Sequence, residues 1–490
     1  MHDAMRCRRA TGTVRPVVRA AVLVIGLAVS LAVLPHAEGQ GTTDAFVWVR
    51  QFGTPSDDSG SAVAVDATGV YVAGRTALGI FPGDSYDAYL RKYDLNGTVL
   101  WTRPIATESF DYANAVAADG SGVSIAGHTG GSLQWGVSGG GVDAYVQKYD
   151  VNGTLLFTGQ FGSPDFDTAL AVAADGTGTY VAGRTEGTIP GQTSLGSVDA
   201  FVRRYNVDGN VSNVSWTQQF GTSGYDYASG LAVDATGVYV AGTTSGSFPG
   251  ETLQGSTDAF VRKYDVRGEV LWTRQFGTST YAAALAVAAD ATGVYVTGLV
   301  GGSFPGEASA GGADTFLRKY DPDGNAVWTR QYGSPGGDAG FGVGVGRSGV
   351  YITGQEDGTL PGQTSAGIPD AFLLRYDVNG TLLGVRQFGT SRFDKGDGIA
   401  VGVSGVYVAG ETSGSFPGAT NAGGLDAFLV SLTEPPPPPV PPGLLHDAVL
   451  FVAVLAGVGI LVATLAVISL RGQRKRGKVQ DPPRAPPPVG

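Results

Sequence analysis

Six carboxylates recur at one place in a repeating pattern. Asp58, Asp111, Asp167, Asp226, Asp338 and Asp394 each stand six residues beyond the aromatic position of a recurring strand-like segment, with Ala282 in the remaining place. Drawn together by rotational symmetry, such a ring could take a cation, calcium in particular, or a polar ligand. The alternative is that each side chain caps its own loop through an Asx turn. Arg75, His128 and Arg184 occupy a second recurring position, directly after a strand-ending glycine, where matching segments carry Thr243, Leu299, Gln355 and Glu411. A position that varies among otherwise matching segments suits ligand specificity, although drift of exposed residues would look the same. Trp135 stands alone in a loop, where it could stack on a sugar or peptide or simply anchor the loop.

Catalytic chemistry finds little footing. His128 is the sole histidine between residues 40 and 433, so no histidine cluster can hold a metal and any hydrolytic triad must pass through it. No glycine-rich phosphate loop precedes a helix pattern. The Asp-x-Asn-Gly stretches at Asp94–Gly97 and Asp377–Gly380 lack the twelve-residue frame and terminal Glu of a calcium loop. No catalytic residue and no resident cofactor are therefore assigned.

The elements that must carry these residues are written in the repeat. Seven segments end in a Tyr-Val-Ala-Gly-like strand, closing at Gly74, Gly127, Gly183, Gly242, Gly298, Gly354 and Gly410, with spacings of 53, 56, 59, 56, 56 and 56. An alternating Ala-Val-Ala-Val run precedes each. An Asp-Ala-Phe-like strand follows after a longer loop, then an Asp-x-Asn-Gly turn and a fourth strand such as Val270–Gly277. Asn-Gly between apolar runs predicts a two-residue hairpin turn with φ > 0 at both central residues. Four antiparallel strands in seven copies predict an all-β, seven-bladed β-propeller of four-stranded blades. A parallel β-helix would not need these tight hairpins. An extra fourth-type strand, Phe46–Gly53, precedes the first copy, and the last copy lacks its own, so the N-terminal strand is expected to complete the seventh blade and close the ring. The longer loops all fall on one face, which is where a binding site is expected. The tryptophans at 48, 101, 216, 272 and 328 read as packing between blades, and the Phe-Pro-Gly-like turns, including the one at Phe81, as plugs.

These residues resemble a known family. Trp-Thr-Arg-Gln-Phe-Gly, Ala-Val-Asp-Ala-Thr-Gly-Val-Tyr-Val-Ala-Gly and Asp-Ala-Phe-Val-Arg-Lys-Tyr-Asp are similar to the bacterial seven-bladed propeller repeat, SBBP, over about residues 46–432. The resemblance implies an exported or surface protein and no shared reaction.

The ends and the charge bound the setting. Arg6, Arg8, Arg9, Arg15 and Arg19 followed by the apolar run Ala20–Leu34 read as a signal peptide over residues 1–39. A proline-rich stalk is expected over 434–447, and a transmembrane helix over 448–470, where Ala448–Leu470 carries no charge. The basic cluster Arg471–Lys478 would place the tail, 471–490, in the cytoplasm. Residues 40–446 hold 21 Lys and Arg against 39 Asp and Glu, a net charge near −18, which excludes nucleic acid as a partner. Cys7 is the only cysteine, so disulfides are excluded from the exported part. The expectation is a membrane-anchored propeller outside the cytoplasm that binds a surface glycan or protein, or serves as a structural module. The alternative is a carboxylate-based glycan lyase or hydrolase on the loop face.

Overall fold

A computed structural model of the protein describes residues 46–77, 86–206 and 214–436. The expected signal, the anchor, the tail, most of the stalk and Phe81 lie outside the described residues. Among the described residues, twenty-eight strands form seven four-stranded antiparallel sheets. Blade one is Ser59–Asp66, Gly69–Thr76, Asp87–Tyr93 and Val99–Ile105. Blades two to six repeat this order over residues 111–161, 167–220, 226–276, 281–332 and 338–388. Blade seven joins Asp394–Gly402, Gly405–Thr412 and Asp426–Leu432 to the N-terminal strand Trp48–Phe52. That strand pairs in register from Trp48 opposite Ser431 to Phe52 opposite Ala427, so the ring closes as its residues predict.

Burial follows from the stacking of blades. Second strands such as Gly69–Thr76 and third strands such as Asp143–Tyr149 are enclosed on both faces, which is why the second strands read as apolar runs without alternation. Fourth strands lie outermost, with Val99 and Leu100 about half exposed. The core sits between sheets: Val202 and Phe220 of blade three pack with Leu231, Val240 and Phe260 of blade four. First strands of neighbouring blades pack on one another around the ring and form its inner wall.

Five of the seven fourth strands also clasp the next blade through a tryptophan. Trp48, Trp101, Trp216, Trp272 and Trp328 donate their indole N–H to the carbonyls of Leu95, Val151, Val266, Pro322 and Val378 in the following hairpin, at 3.1–3.3 Å. Two residues on, Arg50, Arg103, Arg274 and Arg330 donate Nε to the glycine carbonyls of the same turns. The indole covers the turn so closely that a Cβ on Gly97 would lie 2.8 Å from the Trp48 ring.

The third-to-fourth turns differ from the expected two-residue form. Gly97, Gly153, Gly268, Gly324 and Gly380 have φ of 81–86°, but none of the residues before them does. The N–H of Gly97 bonds the carbonyl of Asp94, and the N–H of Asp94 bonds the carbonyl of Thr98. A one-residue register shift follows in the paired strands. This is a type I turn closed by a glycine bulge. The Asp94 carboxylate drives it by accepting from the N–H groups of Asn96 and Thr98, which also holds its carboxyl below the usual range.

Candidate functional site

The recurring aspartates are buried beneath the loop face. Asp58, Asp111, Asp167, Asp226, Asp338 and Asp394 are at most 2% exposed. Each carboxylate accepts the backbone N–H of Thr54, Thr107, Ser163, Thr222, Ser334 or Thr390, four residues earlier, at 2.5–2.7 Å, and the same residue's hydroxyl. Burial raises the carboxyls of Asp111, Asp167 and Asp226, and takes those of Asp338 and Asp394 to about 6. In four blades a threonine at the end of the second strand pairs with the aspartate in register, Asp111 opposite Thr129 for example. In blade five both partners change together, to Ala282 and Val300. Replacing both members of a buried polar pair costs little, whereas replacing one leaves the other unsatisfied.

A second set of aspartates and a set of glutamines complete this scaffold, and sequence reasoning missed their role. Gln51, Gln160, Gln219, Gln275, Gln331 and Gln387 donate to Asp426, Asp143, Asp199, Asp258, Asp314 and Asp370 at 2.6–2.9 Å. Their carbonyls accept the N–H of Phe416, Leu133, Ile189, Phe248, Phe304 and Leu360, which fixes each plug turn. Between the two aspartate sets lies a glycine; a Cβ on Gly162 would stand 2.6 Å from oxygens of both Asp143 and Asp167. The recurrence of Gln-Phe-Gly was the available signal.

The variable position behaves differently. Arg75, His128 and Arg184 are brought to adjacent blades and joined by aromatic rings. The Arg75 guanidinium lies 4.9 and 5.2 Å from the ring centres of Tyr86 and Tyr112. Tyr112 stacks on His128 at 4.7 Å and 9°. Phe166 stands 5.7 Å beyond His128, and Arg184 lies over both Phe166 and Tyr227 at 5.2 and 5.0 Å. All of these side chains are half-buried. Burial first, then Arg184 and Arg75, lower the His128 pKa to about 4, so the imidazole is neutral near pH 7.

Each first strand also carries a β-bulge whose extra residue has no partner in register. The extra residues are Asn114, Leu170, Ser229, Leu285, Phe341 and Asp397, with Ser61 in blade one. Bulges re-aim side chains next to functional sites. These seven are of five residue types while the residues flanking them are all alanine or glycine, and they leave the inner wall lopsided. In blade two the Asn114 amide nitrogen lies 3.3 Å from His128 Nδ1 and donates to the Ala169 carbonyl at 2.8 Å. In blade seven Lys395 Nζ stands 2.5 Å from Asp397 Oδ1, 3.8 Å from Glu411 Oε1 and 4.6 Å from the Phe341 ring centre. Burial raises the Asp397 carboxyl against the pull of Lys395, with Glu411 adding to the rise. Blades five and six present only Ala283, Leu285, Leu299, Ala339, Gln355 and Phe341 at the equivalent places.

Trp135 lies on the same loop face but takes no part in the aromatic run. It is 56% exposed and has φ 64°, the only positive-φ non-glycine among the described residues. Its turn, closed by the Gly136 N–H on the Leu133 carbonyl, matches the Ile189–Gln192 turn of blade three. There the corresponding residue is Gly191, and Gly250, Gly306, Gly362 and Gly418 hold the place in blades four to seven, all at φ 75–84°. Among the described residues, no three His, Cys, Asp or Glu side chains are grouped to hold a metal ion. A groove of about 890 Å³ between Glu251, Arg262, Trp272 and Asp323 lies on the outer flank, away from the variable residues.

The SBBP family, described as a beta-propeller repeat, matches residues 215–249, one copy of the repeat. The regulatory protein FlaEY of Caulobacter vibrioides is 28% identical over 445 residues, covering 79% of this chain and 43% of that protein, so the chain spans less than half of that relative's length. Among solved structures, the WD40 β-propeller domain of Doa1 is 10% identical with a TM-score of 0.43 over 77% of this chain and 95% of that chain. The sialidase of Trypanosoma rangeli, solved with sialic acid, is 10% identical with a TM-score of 0.36 over 76% and 60%.

Proposed function

We propose that this chain is an exported, membrane-anchored propeller whose loop face binds a polymer or protein partner at the cell surface. The observation that carries the reading is a division of labour among the repeats. Residues that recur in the copies are consumed by the scaffold, and the ones that differ, Arg75, His128 and Arg184, meet in one half-buried aromatic run. Export and anchoring rest on the basic and apolar N-terminal run and on Ala448–Leu470 with its following basic cluster. The relative from Caulobacter vibrioides is named a regulatory protein, and regulation by contact is what such a module offers. The test is a screen of the full-length protein against surface glycans and surface proteins, with and without calcium, beside membrane fractionation of the full chain and of one ending at Thr433. Retention of the shortened chain in membranes would sink the anchor. If no ligand binds and calcium leaves the melting temperature unchanged, the propeller is a spacer.

A second reading, cleavage of a glycan by a carboxylate pair, is favoured by one specific arrangement. Asp397 and Glu411 share Lys395, and the Asp397 carboxyl is raised toward the range of a general acid. Glycan cleavage by the wild type that disappears in Asp397→Asn would establish it.

A further inference from the structure

The run Arg75–Tyr112–His128–Phe166–Arg184 is built almost wholly of hydrogen-bond donors and flat rings. Neither guanidinium has a carboxylate within ion-pair distance among the described residues, and Arg75 Nε is enclosed without a hydrogen-bond partner. Aromatic faces hold both groups, which fixes their position and leaves their N–H edges uncommitted. Between them, His128 Nδ1 meets the Thr168 hydroxyl at 3.0 Å and the Asn114 amide nitrogen at 3.3 Å, which fixes the plane of the uncharged ring. Two cations with no carboxylate partner, flanking a neutral imidazole, make an oxyanion site.

The same position in the remaining blades argues against a scaffold role. Thr243, Leu299, Gln355 and Glu411 carry no cation there, so the ring does not need one. A long polyanion is disfavoured by the charge near −18 of residues 40–446. A single carboxylate fits the fork of a guanidinium, and the exposed parts of Tyr112, Phe166 and Tyr227 offer faces to the C–H groups of a sugar ring.

We propose that Arg75, His128 and Arg184 anchor a carboxylate-bearing sugar, a uronate unit of a surface glycan, on blades one to three. This rests on the reading of the loop face as a binding surface and names its ligand. The full-length protein is titrated with a galacturonate oligosaccharide, with its methyl ester, with an acidic peptide and with inorganic phosphate. The uronate sugar binds, and esterification weakens it about tenfold or more, because a charge-assisted hydrogen bond is lost at each guanidinium. Arg75→Gln and Arg184→Gln each weaken it about tenfold with an unchanged melting temperature, and the double variant more than either. Equal binding of acid and ester, or of wild type and double variant, overturns the site. Peptide or phosphate binding without uronate binding overturns the ligand class. In either case a hit elsewhere in the surface screen leaves the binding-module reading standing, and a screen without hits removes both.

Discussion

Glu356 shows how much one residue can cost a repeat protein. It stands where Thr76, Thr129, Thr185, Thr244 and Thr412 stand in other blades, between Asp338 and Asp370 in the register of blade six. It is fully buried, its Oε1 has no partner, and burial first, with Asp338, Asp370 and Asp357 adding to it, raises its pKa to about 8. A carboxyl raised in the folded state is ionised more easily in the unfolded chain, so stability is lost as pH climbs from its ordinary value toward 8. Glu356→Thr is therefore expected to raise unfolding free energy by about 2 kcal/mol at pH 8 and hardly at all at pH 5. Denaturant titrations at the two pH values decide it; equal gains at both would show that packing is at work instead of ionisation. Trp135 makes the opposite case. Holding a non-glycine residue at φ 64° costs about 1 kcal/mol, and the other matching turns avoid that cost with glycine. Trp135→Gly should then stabilise the fold by about 1 kcal/mol while weakening any glycan bound on the loop face. A loss of stability would mean that the indole anchors its loop.

At the scale of the element, the strands were legible because apolar runs and turn residues repeat with a fixed spacing, and each copy checks the others. Blade two's third strand, Asp143–Tyr149, is recognisable even though its preceding loop has lost the Pro-Gly turn. The conformation of the turns was less accessible. Asn-Gly is compatible with two kinds of hairpin, and the Asp94 carboxylate, two residues upstream of Asn96, selects between them by accepting two N–H groups. The site divided in the same way. Arg75, His128 and Arg184 could be found because they break a repeat. Tyr112, Lys395 and Asp397 were hidden in first strands whose inward direction depends on a bulge, and Phe166 just ahead of one; a bulge leaves no mark in an alternating Ala-Val pattern. Asp111 and its counterparts drew attention as chemistry, yet their spacing to Thr107 and its counterparts, four residues throughout, is that of a loop cap. Repetition of a polar residue in every blade therefore points to the scaffold, and departure from it points to the ligand.

The whole molecule depends on a single non-local closure. Trp48–Phe52 pairs with Asp426–Leu432 more than 370 residues later, and its side chains do the same clasping work as the other tryptophan-bearing fourth strands. Trp48 donates to Leu95, Arg50 to Gly97, and Gln51 to Asp426, while Phe52 packs on Tyr89 under the Arg91 guanidinium. Six of the seven blades are assembled from neighbours in sequence, so they can form before the ring is shut. Closure is the step that pays the large loop entropy, and without it two blade faces and one strand edge stay open. Removing residues 44–53 should convert a cooperative monomer into an aggregating species, because the bared edge of Asp426–Leu432 is apolar and unprotected. Light scattering and a thermal melt read this directly, and a shortened protein that stays monomeric with an unchanged melt would overturn it. A synthetic peptide of residues 44–53 added during refolding should restore the monomer, since the lost strand brings its own hydrogen bonds and its own tryptophan. Substituting Trp48 and Phe52 by alanine in that peptide should abolish the rescue if the clasp, and not the backbone ladder alone, holds the ring shut.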